Sequence, residues 1–264
     1  MPDWIAVVLL GIVEGITELL PVSSTGHLLI VEHMGWLPDQ SDLFNIVIQS
    51  GAVLAVLPLF PDRVRQLLFG WRAPETRVYF GQLLLAFVIT GIGGLIIDRM
   101  GFKLPETLGP VAWAVLIGGV LFVVVEMILR GRSLTMDVTW GMAIGVGLAQ
   151  LVAAVFPGTS RSGATILLCL VLGLARPMAT EFCFLVGIPT MLAAGGLKIM
   201  KALMAPAAGA PPEHWGLVAL GFAVSAIVSF LSVKWLLGYI RTHSFAGFGW
   251  YRIALGLLIL LLMA

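Results

Sequence analysis

Charge is scarce in this 264-residue chain, where Asp, Glu, Lys and Arg together make up 11% against roughly 25% in a soluble globular domain. An ordinary soluble enzyme is excluded. An excess of one sign is also missing, because fifteen Lys and Arg face fourteen Asp and Glu and leave a net charge of +1. Nucleic acid is therefore not expected as a partner, since tracking its backbone needs a basic surplus. Cysteine is nearly absent. Cys169 and Cys183 both lie in apolar runs away from any Cys/His cluster, which removes a disulfide framework and a cysteine-based metal site together. No Walker loop or dinucleotide fingerprint occurs, so ATP-driven work is not expected. Disorder is excluded by what is abundant: 59% of the residues are hydrophobic, ample surface to bury with few charges to solvate it.

The reading that remains is an all-α polytopic membrane protein. A crossing needs about 20 mostly apolar residues, and six runs meet that description, near 43–60, 78–97, 111–129, 182–197, 216–237 and 250–263. Two more apolar segments, 4–33 and 141–175, are each interrupted by a polar knot, PVSSTGH and PGTSRSG. Irregular backbone at membrane depth survives only where protein or a wet cavity surrounds it, so both are expected to be re-entrant helix-turn-helix hairpins. Segment 4–20 lacks a basic leader and holds Glu14 and Glu18, which fits a retained element better than a cleaved signal.

Basic residues gather at Arg63, Arg65, Arg72, Arg77, Arg130, Arg132, Arg176, Lys234 and Arg241, and such loops are expected on the cytoplasmic side. The opposite face then holds Arg99, Lys103, Lys198 and Lys201, diluted by Asp98, Glu106 and Glu213. That count sets one hairpin dipping from each side and three spans per half, the arrangement of an inverted-topology repeat. A shift of 136 supports it, aligning Trp4 with Trp140, Gly11 with Gly147, Pro21 with Pro157 and Ser24 with Ser160, and setting Glu14 against Gln150. The chain is thus expected to be one integral domain, 1–264, with a first half over 1–110 and a second half beginning near 137 within the remainder, 111–264.

Glu14 and Glu18 are four residues apart in a helical run and share a face. Carboxylates at membrane depth each need a partner, a proton or water, so a shared metal ion, a general base or both are open readings. The knot that follows adds Ser23, Ser24 and Thr25, able to cap a helix beginning near Gly26, and His27, able to titrate or coordinate. The second knot sets Arg161 among Thr159, Ser160, Ser162 and Thr165, a planar fork among hydroxyls and helix N-terminal amides that suits phosphate oxygens. Arg161 could equally neutralise Glu14 or Glu18. Asp42, Asn45 and Gln49 form a stripe that could line the cavity, and Glu181 could be the second half's counterpart of Asp42. Glu126 is expected to pair with Arg130 at i,i+4. Gly11 with Gly15 and Gly141 with Gly145 are expected to permit close helix packing.

Positioning and charge neutralisation are the main requirements of phosphoryl transfer, and this set can supply them. The stretches Glu14 to His27, EGITELLPVSSTGH, and Pro157 to Gly163, PGTSRSG, resemble the two signatures of the bacterial undecaprenyl-diphosphate phosphatases, and FNIVIQSG at Phe44 to Gly51 extends the likeness. The resemblance implies an enzyme of the bacterial cytoplasmic membrane that removes the terminal phosphate of undecaprenyl diphosphate, renewing the carrier for peptidoglycan synthesis. It also implies a divalent cation, Mg²⁺ or Ca²⁺, and a link to bacitracin resistance. By that likeness Glu14 and Glu18 bind metal or act as base, Ser24 is the nucleophile, His27 assists in acid/base work and Arg161 grips the diphosphate. Ser160, Ser162 and Thr165, with Ser23, Thr25, Thr159 and Gln49, would be substrate contacts. His27 as phosphoryl acceptor and a metal-activated water stay open as alternatives to Ser24. The cavity is expected to face the periplasm, the prenyl tail to lie between spans, and a homodimer is left open. A flippase or secondary transporter of the lipid carrier is the rival function.

Overall fold

A computed structural model describes residues 2–35, 40–102, 107–204 and 214–263. Lys103, Glu106 and Glu213 lie outside those residues, as do the side chains of Asp42 and Lys198. Helices account for nearly all of what is described: α1 (Asp3–Thr17), α2 (Ser24–His33), α3 (Asp42–Leu54) with a 3-10 turn at Leu57–Leu59, α4 (Pro61–Phe69), α5 (Pro74–Arg99), α6 (Leu108–Leu129), α7 (Trp140–Val155), α8 (Arg161–Val171), α9 (Arg176–Met204), α10 (Trp215–Tyr239) and α11 (Ala246–Leu262). The described residues contain no β-strand, only an isolated bridge between Thr135 and Leu174.

Four helices, α5, α6, α9 and α10, are long and apolar enough to cross a membrane. The α3 region bends by 86° into α4 and becomes a fifth candidate when the two are taken together. At 17 residues, α11 is about 25 Å long at 1.5 Å per residue. Large apolar side chains point outward along these helices: Ile92, Leu95, Ile117, Met127, Ile227 and Leu231 are all more than half exposed. An apolar belt on that scale needs lipid rather than water beside it.

The basic loops collect at one end. Arg63 of α4 pairs with Glu181 of α9, Gln66 of α4 donates to Thr76 of α5, and the 130–139 connection bonds through Thr135 to Gly173 and Ala175. Glu126 corrects the sequence expectation. Its carboxylate takes two nitrogens of Arg176 and the backbone N–H of Phe245, because Arg130 already sits in extended backbone past the end of α6. Glu181 likewise serves an ion pair at this end.

Close packing of small residues fixes the direction of the two broken helices. A Cβ on Gly11 would lie 3.1 Å from the carbonyl of Gly221, and one on Gly15 would lie 2.7 Å from that of Ser225, so α1 runs parallel to α10. On the other side Trp140 meets Gly81, Gly147 meets Ala86 and Ile89, and Leu151 meets Gly93, so α7 runs parallel to α5. Since α10 runs toward the basic end and α5 runs away from it, α1 and α7 approach from opposite ends. Gly145 packs against Leu168, whereas a Cβ on Gly141 would find nothing closer than Thr139 Oγ1 at 3.8 Å; close approach therefore explains Gly145 and not Gly141. The largest apolar cluster, containing Phe122, Ile166, Leu170, Phe182 and Phe245, fills the space between the hairpins and the basic end.

Candidate active site

Each broken helix stops at a turn built by the same device. Ser23 has φ +74° and Ser160 has φ +66°, the two non-glycine residues with positive φ among those described. Such backbone costs of order 1–3 kcal/mol and persists where surrounding contacts fix it. Ser23 Oγ accepts from the N–H of Gly26 at 3.3 Å, and Ser160 Oγ accepts from the N–H of Gly163 at 3.1 Å. These are N-caps, so α2 begins at Ser24, before the expected Gly26. The caps also pair Ser23 with Ser160, where a shift of 136 pairs Ser24 with Ser160. Ser24 and Arg161 consequently occupy the first helical position after each turn.

The two tips touch. Arg161 Nη2 lies 2.8 Å from Glu18 Oε1, Ser24 Oγ donates to Glu18 Oε2 at 2.8 Å, and Ser162 Oγ donates to the carbonyls of Glu18 and Leu20 at 3.4 and 3.2 Å. One carboxylate thus joins a hydroxyl from its own hairpin to a guanidinium from the other. A cavity of about 260 Å³ opens over this centre, lined by Glu18, Ser24, Thr25 and Gln49 from the first half and by Ser160 and Arg161 from the second.

Other candidates lie elsewhere. Glu14 is fully buried, and neither carboxylate oxygen has a hydrogen-bond partner. Glu18 and Gln49 lie beside it, outside bonding geometry. Ser23 is buried as a cap, Ser162 ties the tips together, and Thr165 Oγ1 returns to the carbonyls of Arg161 and Ser162. Thr159 lines a separate apolar groove of about 650 Å³ between α6, α7 and α8. His27 points away from the cavity into a recess shared with Trp235, Tyr239 and Tyr251. Its Nδ1 lies 2.7 Å from the Ser23 carbonyl and its Nε2 lies 2.6 Å from Tyr251 Oη. A carbonyl only accepts, so Nδ1 carries the proton and Nε2 accepts from the tyrosine.

Three lining residues with polar side chains were not singled out as site residues in the sequence. Thr90 and Thr190 join the cavity wall, as does Gln150, whose amide donates to Thr90 Oγ1 at 2.9 Å and whose Oε1 has no partner. Alignment of Gln150 with Glu14 was the available signal. Arg252, fully buried in α11 beside both tips, was also missed; an ionisable residue inside an apolar run is itself such a signal.

The fold and the site define a multi-pass membrane protein with a serine, a carboxylate and a guanidinium joined across two hairpin tips. The family model described as bacitracin resistance protein BacA matches residues 7–258, and the chain belongs to that family. Among its relatives, a protein of Rhizobium etli (strain CIAT 652) named undecaprenyl-diphosphatase is 52% identical over 259 residues, covering 98% of this chain and 96% of the relative. Proteins of the same name from Xanthomonas oryzae pv. oryzae (strain PXO99A) and Xylella fastidiosa (strain 9a5c) are each 50% identical, covering 99% and 96% of this chain and 97% and 95% of their own lengths.

Proposed function

We propose that this protein is an undecaprenyl-diphosphate phosphatase, which removes the terminal phosphate of the lipid diphosphate and returns the monophosphate carrier to peptidoglycan synthesis. The observation that carries the reading is the Ser24–Glu18–Arg161 arrangement, set on a chain about half identical to proteins of that name. Glu18 accepts the Ser24 proton, Ser24 Oγ attacks the terminal phosphorus, and the bond to the bridging oxygen breaks with undecaprenyl phosphate leaving. Water then attacks the phosphoserine phosphorus, the Ser24 Oγ–P bond breaks with inorganic phosphate leaving, and Glu18 returns its proton to Ser24 Oγ. Arg161 exchanges its carboxylate for phosphate oxygens, to which its planar fork is matched. Placement of both His27 nitrogens on fixed partners outside the cavity favours Ser24 over His27 as phosphoryl acceptor. The flippase reading draws no support from the relatives.

A divalent cation fits by one test, the pair of buried and unpartnered oxygens on Glu14. Glu14 and Glu18, with Gln49 in the same wall, would hold Mg²⁺ or Ca²⁺, and the bound ion would neutralise phosphate charge. No third acidic, His or Cys side chain joins them among the described residues, so phosphate oxygens and water would complete the shell.

The two-fold design is part of the same proposal. It draws support from α1 lying on α10 as α7 lies on α5, from α3 meeting α10 as α9 meets α5, and from α6 and α11 packing on each other. Six crossings and two re-entrant hairpins follow if α3 and α11 each span. With the basic end cytoplasmic, the first hairpin dips from the periplasmic side and the cavity is reached from there. Detergent-purified protein is expected to release inorganic phosphate from a prenyl diphosphate with added Mg²⁺ or Ca²⁺. A folded preparation releasing none with either ion overturns the reading.

A further inference from the structure

Arg252 sits within α11, in a run whose periodicity reads simply as a span, and its side chain is completely buried. Among the described residues no carboxylate pairs with it. Five backbone carbonyls hold the guanidinium instead. Nη1 donates to the carbonyl of Pro21 at 3.3 Å, in the first hairpin turn. Nη2 donates to Gly158 and Thr159 in the second turn, at 3.2 and 3.1 Å, and to Ala114 of α6 at 3.3 Å. Nε donates to Val115 at 3.3 Å. A permanent cation at membrane depth is among the costliest groups to bury, and this one is spent on both turns at once. The backbone around it leaves room: a Cβ on Gly118 would fall 2.3 Å from Nη2, and one on Gly163 would fall 3.0 Å from Nη1.

The peptide between Thr159 and Ser160 gains most from this contact. Its carbonyl faces Arg252, and in a planar trans peptide the N–H leaves from the opposite edge. The neighbouring N–H of Thr159 is taken by the carbonyl of Phe156 at 3.2 Å, whereas the N–H of Ser160 has no partner among the bonds of the turn. Ser160 also lines the cavity and holds its positive φ there. We propose that Arg252 is a positioning residue for phosphoryl transfer, fixing both hairpin turns by their carbonyls and aiming the Ser160 N–H at the reacting phosphate. The inference rests on the phosphatase reading and adds an oxyanion donor to it. Arginine suits the task because its two terminal nitrogens diverge, one to each hairpin, where a lysine offers a single point.

The test compares Arg252→Lys and Gly118→Ala with the wild type in phosphate release from a prenyl diphosphate, alongside melting and gel filtration in the same detergent. Gly118→Ala keeps the arginine but drives a Cβ into the guanidinium. Both variants are expected to lose at least tenfold in kcat with KM changed less than threefold, while remaining folded. Arg161→Lys, which loosens the grip on phosphate but leaves the five carbonyl contacts of Arg252 in place, is expected to raise KM instead. Wild-type kcat in both Arg252→Lys and Gly118→Ala overturns the inference, as does a rise in KM at constant kcat or a loss that only follows the unfolded fraction. Failure of both variants to fold also overturns it, leaving Arg252 a purely structural group. An inactive wild type removes the phosphatase reading itself, an outcome distinct from active wild type with indifferent variants.

Discussion

Replacing Glu18 by Gln should disable Ser24 as completely as deleting its hydroxyl. The Glu18 carboxylate holds two partners, Ser24 Oγ at 2.8 Å and Arg161 Nη2 at 2.8 Å, and its side chain is only 7% exposed. An amide cannot take the serine proton, and it turns a donor toward one of two donors. Loss of a general base costs about 10²–10⁴ in rate, or roughly 3–5 kcal/mol of barrier. Ser24→Ala removes the nucleophile and should fall in the same range. Because base and nucleophile act on one proton, the double variant should be no slower than the slower single one. Independent contributions would multiply to about 10⁴–10⁸ by the same figures. The assay is phosphate release from a prenyl diphosphate in detergent, with gel filtration to confirm folded protein. A double variant as slow as the product of the singles would refute the shared proton, and a Ser24→Ala protein retaining wild-type turnover would remove Ser24 as nucleophile.

Arg161→Ala should reduce turnover by two orders of magnitude or more, through loss of the guanidinium that meets the phosphate; undiminished release would place that group outside the reaction. Glu14→Gln should weaken apparent Mg²⁺ affinity at least tenfold yet melt no lower than the wild type in EDTA, since a neutral amide replaces a buried unpartnered carboxylate; an unchanged Mg²⁺ titration contradicts the metal assignment. His27→Ala should leave the shape of the pH–rate profile intact and Tyr251→Phe should cost less than about fivefold, because the imidazole supports the Ser23 carbonyl from outside the cavity and the tyrosine adds to it a single hydrogen bond worth about 1 kcal/mol. Disappearance of one limb of the profile in His27→Ala would put a titrating imidazole in the chemistry. Glu126→Gln should lower stability by about 2–3 kcal/mol, below the full cost of a broken buried pair because the Arg176 side chain is one-quarter exposed. Melting in detergent measures that loss, and residual folded protein should keep its turnover.

What could be read from the chain and what could not divides along a physical line. Hydroxyls, Pro and Gly inside apolar runs announce interrupted helices, because hydrocarbon tolerates no unsatisfied backbone, and the structure puts turns at both knots. The contact between Arg161 and Glu18 was likewise one of the readings open in the sequence, as both groups need a partner at that depth. Side-chain direction within a turn was not legible. A rotation of about 100° per residue decides that Ser24 faces the cavity while His27 faces Tyr251, and the positive φ of Ser23 and Ser160 that sets this rotation leaves no mark in serine. Long-range partners were hidden as well. Glu126 takes Arg176 across the bundle instead of Arg130 four residues away, and Arg252 looks like an intruder in a span until the two turns are folded around it.

The bond between Glu18 and Arg161 gives the resting site a threshold. With the guanidinium already satisfied by a carboxylate, a weakly charged visitor has little to offer in exchange, whereas a ligand carrying an additional phosphate brings enough negative valence to win the cation away. Once the terminal group has been cut off, the shortened lipid loses that advantage and Glu18 can reclaim its partner. The same contact would thus favour admission of the diphosphate and discharge of the monophosphate.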